Sequence, residues 1–361
     1  SRDSPPPGTG RVTPRRPLLT QPRASAAHAI DQYLEMSPTA VRRIALNTGG
    51  GDAPGLNAVI RAVTLGALDR EWEVLGIRDG YDGLFGEHSH GEGVMLLGRD
   101  DVRDITHMGG TMLGTTNRGN PFQVGRGPDV AQRLRELEID VLVAVGGDGS
   151  LNIAHQISLE GIPTIGVPKT IDNDLEHTDL TTGFDSAVAF ATECIDRLVS
   201  TTTAHGRVMV IEVMGRTAGW IALHAGIAAA AHAILIPEIP YDISVVADRV
   251  KERADRGQDF SIVVVAEGAT PIGGTVTTVE GSSRLGGVAA TIAAQLEELT
   301  GKEARSLSLG HLLRGGSPTA PDRLLGLRYG AEAVLAIEAG ARNVMVALDG
   351  DVAKLVPLAD I

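Results

Sequence analysis

Residues 168–174 read PKTIDND. A lysine, a threonine and two aspartates fall within seven positions, with an asparagine between the acids. A cation and two carboxylates this close make a poor core segment. The bland reading is an Asx-rich turn that caps a helix. Other segments argue for chemistry. GGGDAPG (49–55) sets three glycines and Asp52 at a turn, and GGDGS (146–150) sets Asp148 between glycines. Glycines let a phosphate approach the backbone, and a helix N-terminus favours an anion. An aspartate on such a turn suits a hydrated Mg²⁺ that bridges phosphates, or else it caps the next helix. The first segment is not a Walker A loop, since no Gly-Lys-Ser/Thr follows, and it lacks the G-x-G-x-x-G dinucleotide spacing. Arginines supply the complement. Arg207 and Arg216 bracket RVMVIEVMGR, Arg305 lies in EARSLSLGH, and His311 and Arg314 lie in HLLRGGSP. Arg118 sits in the Gly/Asn/Pro loop TTNRGNPF, where a solvated arginine is the plain alternative. The planar fork of arginine matches phosphate, so the set reads as a phosphosugar or nucleotide site.

The elements that must carry these residues are continuous apolar runs. RRIALNTGG, EVLGIRDG, VLVAVGGDG, PTIGVPKT, RVMVIEVMG, AILIPE and SIVVVAEG all have this form. Such runs indicate strands buried on both faces, as in a parallel sheet. Helical spacing lies between them, as in GLNAVIRAVTLGALDR and over residues 184–200 and 286–299. Strand–helix alternation predicts an α/β fold with mostly parallel sheets and helices on both faces. The polar and glycine-rich segments follow the strands. That is where open parallel sheets bind ligands.

The chain has 361 residues and a formal net charge of −13, which argues against general nucleic-acid binding. Hydrophobic residues make up 43% but aromatics only 3%, so aliphatic side chains carry the packing. The one cysteine, Cys194, lies in the apolar helical stretch FATECIDRL and reads as a core thiol. A lone thiol makes no internal disulfide, and a cytoplasmic setting is expected. No run of 18 apolar residues marks a membrane helix. Residues 1–40 are rich in proline, arginine and serine with no periodic apolar face, and are excluded from the expected fold. They read as a leader upstream of a start at Met36, a transit peptide being the weaker alternative.

From about residue 41 to about residue 350 the chain resembles the 6-phosphofructokinase family. The motifs stand in family order: GGDAPGLNAVIR, GGDGS, PKTIDND, EVMGR, AEG and GHLLRGGSP-x-x-x-DR. The resemblance implies two Rossmann-like lobes. Residues 41–183 with about 314–350 would form the larger lobe, with the donor and Mg²⁺ site. Residues 184–313 would form the smaller lobe, with the sugar-phosphate site. It implies phosphoryl transfer from ATP to the 1-hydroxyl of fructose 6-phosphate, giving fructose 1,6-bisphosphate. In that scheme Asp172 is the general base. Thr170, Lys169, Asp174 and Arg216 complete the catalytic set. Gly51, Arg118, Gly147, Asp148, Gly149 and Ser150 bind the donor, with Mg²⁺ on Asp148. Thr170, Asp172, Met214, Gly215, Arg216, Glu267, His311 and Arg314 bind the sugar phosphate, His311 and Arg314 at its 6-phosphate. Arg207 and Arg305 match arginines that reach across a subunit boundary, which implies a homodimer or homotetramer.

Two positions bear on the donor. Gly149 resembles ATP users, which leave room there for the α-phosphate; pyrophosphate users place aspartate at that position. Lys169 resembles pyrophosphate users. An added carboxylate would block ATP, whereas a lysine suits either donor, so ATP is expected and pyrophosphate is the alternative. Ile153, where the best-known bacterial enzymes have glycine, crowds the nucleoside end. Regulation is expected to be weak: Arg61 matches one effector-binding arginine of those enzymes, but Leu65 and Val199 replace two others. A non-catalytic sugar-phosphate binder is a competing reading, opposed by intact Asp148, Asp172 and Arg216. So is a kinase of the diacylglycerol or NAD kinase type, which would share GGDG but not need GHLLRGGSP.

Overall fold

The computed structural model describes residues 41–86, 91–117, 119–278 and 285–361. Residues 1–40, on which the expectation of a leader rests, and Arg118 therefore lie outside the described residues. Two sheets organise the chain. The larger has eight strands, ordered β12-β11-β5-β4-β1-β2-β3, with β6 beside β5. Its members are β1 (Arg43–Thr48), β2 (Glu73–Ile77), β3 (Val94–Leu96), β4 (Val141–Gly146), β5 (Thr164–Thr170), β6 (Thr182–Gly183), β11 (Val344–Asp349) and β12 (Val352–Pro357). Only the edge strands β3 and β12 pair antiparallel. The smaller sheet is parallel throughout. Its order is β10 (Ala304–Ser308), β7 (Val208–Val213), β9 (Ser261–Ala266), β8 (Ala233–Leu235). Among the described residues, eight α-helices cover the sheets. They are α1 (Leu56–Leu68), α2 (Gly127–Glu136), α3 (Asp148–Leu159), α4 (Phe184–His205), α5 (Trp220–Ala228), α6 (Ile243–Asp255), α7 (Val288–Thr300) and α8 (Ala320–Glu338).

The continuous apolar strands are explained by burial on both faces. Along β1, Ile44 and Leu46 enter one core and Ala45 the other. Along β9, Ile262 and Val264 face one layer while Val263 and Val265 face the opposite one. A strand with helices above and below has no polar side to show.

The chain crosses to the smaller sheet through α4 and returns through α8, which packs on α1. Two glycines permit that contact. A Cβ at Gly330 would lie 2.6 Å from Ala62 Cβ, and one at Gly326 2.9 Å from Gly55 O. Asp322 at the start of α8 is fully buried and accepts hydrogen bonds from Gly183 N (2.9 Å), Ser186 N (2.7 Å) and Ser186 Oγ (2.6 Å). It thereby fixes the start of α4 and the β6 end that lies beside Thr170. Cys194 is half-buried on α4, and burial pushes its thiol pKa up, so it packs against the core and is not an activated nucleophile. Among the described residues no helix is long and apolar enough to cross a membrane.

Candidate active site

The carboxyl ends of β1, β4 and β5 meet at one cleft of about 650 Å³. After β1 the loop Gly49–Asp52 is held on several sides. Gly49 N donates to Val145 O and Gly50 N to Thr116 O, each at 3.0 Å. Thr115 Oγ1 donates to Gly50 O at 2.6 Å. Lys169 Nζ donates to Gly49 O at 3.0 Å and also to Gly51 O. Arg314 Nη1 donates to Asp52 O at 3.0 Å.

After β4, Gly147 is extended and Asp148 begins α3. Asp148 is exposed on the cleft wall. A Cβ at Gly149 would meet open space, whereas one at Gly49 would lie 2.7 Å from Ser150 Oγ. Ser150 therefore packs beneath the first loop, and Gly149 leaves the cleft open. Among the described residues no group of three His, Cys, Asp or Glu side chains could hold a metal. A lone carboxylate suits a Mg²⁺ that keeps its waters and is carried in on substrate phosphates.

The PKTIDND segment is the end of β5 and a tight loop. Asn173, between the two acids, has φ of 51°, a left-handed conformation that asparagine tolerates. Its Oδ1 accepts from Thr181 N (2.9 Å) and Thr181 Oγ1 (3.1 Å), and its Nδ2 donates to Asp179 O (3.1 Å). Thr170 Oγ1 accepts from Asp172 N at 3.1 Å and donates to Asp174 Oδ1 at 3.3 Å. Asp172 is thus held with Oδ1 buried and, among the described residues, without a hydrogen-bond partner. Burial pushes its pKa up to about 6, and the charge of Asp174 adds to this; Arg314 and Lys169 oppose both. Lys169 is 2% exposed, and burial, helped by Arg314, lowers its pKa to about 8 against the pull of Asp52 and Asp172.

From the smaller sheet, Arg216 and Arg314 reach the cleft wall beside Lys169, Thr170 and Asp172. Arg314 ends the 3₁₀ turn Gly310–Arg314, with exposed His311 on the same turn. Met214 and Gly215 follow β7, and Glu267 follows β9. Gly215 has φ of 143°, and a Cβ at Gly268 would strike Arg216 O, so the two loops run in backbone contact. Burial raises the pKa of Glu267, with Glu212 and Asp172 adding to the effect. Arg207 and Arg305 are elsewhere. They lie where β7 and β10 begin, at the opposite end of the strands from the cleft, and both converge on Glu303. Arg207 Nη1 is 3.7 Å from Glu303 Oε1 and Arg305 Nη2 2.5 Å from it.

Ile153 lines both the cleft and a smaller chamber of about 40 Å³. Among the described residues, Asn47 Oδ1 and the Tyr81 hydroxyl, both buried there, reach no partner with good hydrogen-bond geometry; burial pushes the Tyr81 pKa up, and the nearby Asn47 side chain offsets part of that. Thr115, Asn173, Asn47 and Tyr81 have no counterpart among the expected site residues. Only Asn173 carried a local signal, as an Asx residue in a turn.

Comparison with known proteins shows the family and the fold. A family model described as phosphofructokinase matches residues 43–337. An ATP-dependent 6-phosphofructokinase of Chloroflexus aurantiacus is 50% identical over 329 residues, covering 88% of this chain and 90% of the relative. ATP-dependent 6-phosphofructokinase 3 of Streptomyces coelicolor is 47% identical, covering 88% and 94%. The solved phosphofructokinase of Saccharomyces cerevisiae superposes with a TM-score of 0.79 at 30% identity, over 88% of this chain and 45% of that one. The chain thus spans less than half of the yeast chain but nearly all of the bacterial relatives.

Proposed function

We propose that the chain, which belongs to the phosphofructokinase family, transfers the γ-phosphoryl group of ATP to the 1-hydroxyl of fructose 6-phosphate. The observation that carries this reading is the meeting of Asp172 with Lys169, Arg216, Arg314 and the Gly49–Asp52 loop in one cleft. Phosphoryl transfer asks mainly for positioning and charge neutralisation. With a pKa of about 6, Asp172 is ionised at neutral pH and can take the proton as the sugar oxygen attacks phosphorus. The bond from the γ-phosphorus to the ADP oxygen breaks as the new one forms. Arg216 faces the developing charge, and Thr170 orients Asp172 through its amide. Mg²⁺ on Asp148 would neutralise the donor phosphates. Gly51, Gly147, Gly149 and Ser150 line the donor side, and Arg118 is assigned there by resemblance. Met214, Gly215, Glu267, His311 and Arg314 are assigned to the sugar phosphate, His311 and Arg314 at its 6-phosphate, and Arg314 also holds Asp52 O of the donor loop.

The larger lobe (41–183 with about 314–350) would hold the donor and the smaller (184–313) the sugar phosphate. The remote position of Arg207 and Arg305 supports an assembly, a homodimer or homotetramer, in which they complete a partner's site. A cytoplasmic setting suits a lone, unactivated thiol. One observation favours a second reading: Ile153 lines both the cleft and the smaller chamber, and a branched side chain at the nucleoside end, where the resemblance puts it, would suit pyrophosphate. The open space at Gly149 and the names of the bacterial relatives favour ATP.

The test is fructose 1,6-bisphosphate formation from fructose 6-phosphate and Mg²⁺ with either ATP or pyrophosphate, run on wild type and Asp172→Asn. Turnover with ATP that the substitution abolishes supports the proposal. Turnover with pyrophosphate alone overturns the donor, and binding without turnover overturns the kinase.

A further inference from the structure

We infer that Lys169 is a positioning residue for the donor loop: it turns the loop's peptide groups so that free N–H groups remain for a phosphate, and it does not itself hold the donor. All four carbonyls of Gly49–Asp52 have a donor. Lys169 Nζ takes Gly49 O and Gly51 O, Thr115 Oγ1 takes Gly50 O, and Arg314 Nη1 takes Asp52 O. A trans peptide is planar, and its N–H points opposite to its C=O. Fixing each carbonyl therefore fixes the next residue's N–H. The carbonyl of Gly49 on Lys169 directs Gly50 N–H to Thr116 O, where it is bonded at 3.0 Å. By the same rule Thr115 directs Gly51 N–H, and Lys169 directs Asp52 N–H.

Among the described residues these last two N–H groups have no protein acceptor. Two successive unpaired N–H groups on a glycine loop ahead of a helix form an anion-binding concavity. Lys169 is 2% exposed and already engaged with two carbonyls, so little of its ammonium remains for a ligand. Its proximity to the phosphates still contributes charge, but its hydrogen bonds go to the loop. It follows that Lys169 does not select pyrophosphate over ATP. Both donors would need the same pinned loop.

The inference rests on the kinase reading, and two variants test it by steady-state kinetics and by calorimetric binding of Mg·ATP. Lys169→Met removes two of the pins. Thr115→Val removes one that is uncharged and, among the described residues, does not line the cleft. The expected result is a rise in KM and Kd for Mg·ATP of about tenfold or more in Lys169→Met and about threefold to tenfold in Thr115→Val. In Thr115→Val, kcat and the KM for fructose 6-phosphate should stay near wild type, and in both variants the ratio of ATP to pyrophosphate use should not move; Lys169→Met, which also removes a charge beside Asp172, is read on Mg·ATP affinity. Loss of kcat in Lys169→Met at unchanged ATP affinity, with Thr115→Val like wild type, would overturn the inference and put the ammonium on the moving phosphoryl group. A donor switch in Lys169→Met would overturn it as well. If Lys169→Met does not fold, Thr115→Val decides alone, and unchanged ATP binding there defeats the inference. Failure of the kinase reading would appear separately, as no turnover by wild type, while the ATP-binding comparison keeps its meaning.

Discussion

Asp174 stands close enough to Asp172 to raise its pKa, second only to burial among the influences on that carboxyl. Thr170 links the pair, accepting from the amide of one and donating to the carboxylate of the other. The proposed base is therefore tuned upward by its neighbour, and its charged state is reached only above about pH 6. kcat/KM should fall on the acid side with a midpoint near that value. Asp174→Asn keeps an acceptor for Thr170 but removes the repelling charge. Its acid limb should move to lower pH, while the alkaline limb stays in place. A limb that does not move would show that another group sets it.

The same shift makes a stability prediction with a defined sign. A carboxyl whose pKa is higher in the folded state binds its proton more tightly there, so stability falls as pH rises from about 4 to about 6. Above that window the buried charge is a standing cost. Asp172→Asn removes it without changing shape. This variant should lack activity yet unfold later than wild type at pH 7, by about 2 kcal/mol, with the difference vanishing near pH 4. Denaturant melts at the two pH values measure it.

How much was legible in sequence follows from what each feature depends on. β1, β4, β5, β7 and β9 could be read because both of their faces are buried, which leaves an unbroken apolar run. β10 could not. It is an edge strand with only Ala304 buried, and ARSLS gives no apolar signal. The charged residues at strand ends were visible as residue types, but their destinations were not. Lys169 points into the β1 loop 118 residues earlier in the chain, and Asn173 works through a backbone angle and Thr181. Arg207 and Arg216 flank one strand in sequence, yet only Arg216 faces the cleft, because the two ends of a strand cannot serve one site.

Gly149 tests the donor from the opposite side to Lys169. Its Cβ position is open, so aspartate fits there without disturbing the fold. The new carboxylate would meet the nucleotide's phosphates across the cleft. Gly149→Asp should melt within a few degrees of wild type and lose about 100-fold or more in kcat/KM for ATP. Pyrophosphate, which is shorter and carries no nucleoside, should lose much less. An equal loss with both donors would mean that the carboxylate damages the site as a whole.

Arg61 bears on the expected lack of regulation. Arg61 Nη1 donates to Val102 O at 2.5 Å and to Arg103 O at 2.9 Å, so it braces a loop of its own chain. Leu65 and Val199, on α1 and α4, offer no charge to an anionic effector. Phosphoenolpyruvate and ADP, at millimolar concentration, should shift the fructose 6-phosphate saturation curve less than about twofold. A severalfold shift would require an effector site built from other residues.

Arg207 and Arg305 give a prediction about assembly. Both sit a strand's length from the cleft of their own chain, at the amino ends of β7 and β10, and both lean on Glu303. Among the described residues, the buried Nε of Arg207 also has no hydrogen-bond partner. If these arginines complete a neighbour's site, Arg207→Ser and Asp172→Asn disable different halves of it. Each variant alone should be nearly inactive. In a mixed dimer, one site has both defects and the other has neither. Refolding the two variants together at equal amounts makes about half of the dimers mixed, so activity should return to about a quarter of wild type. If Arg207 acted only within its own chain, every site would keep one defect, and the mixture would stay as inactive as its parts.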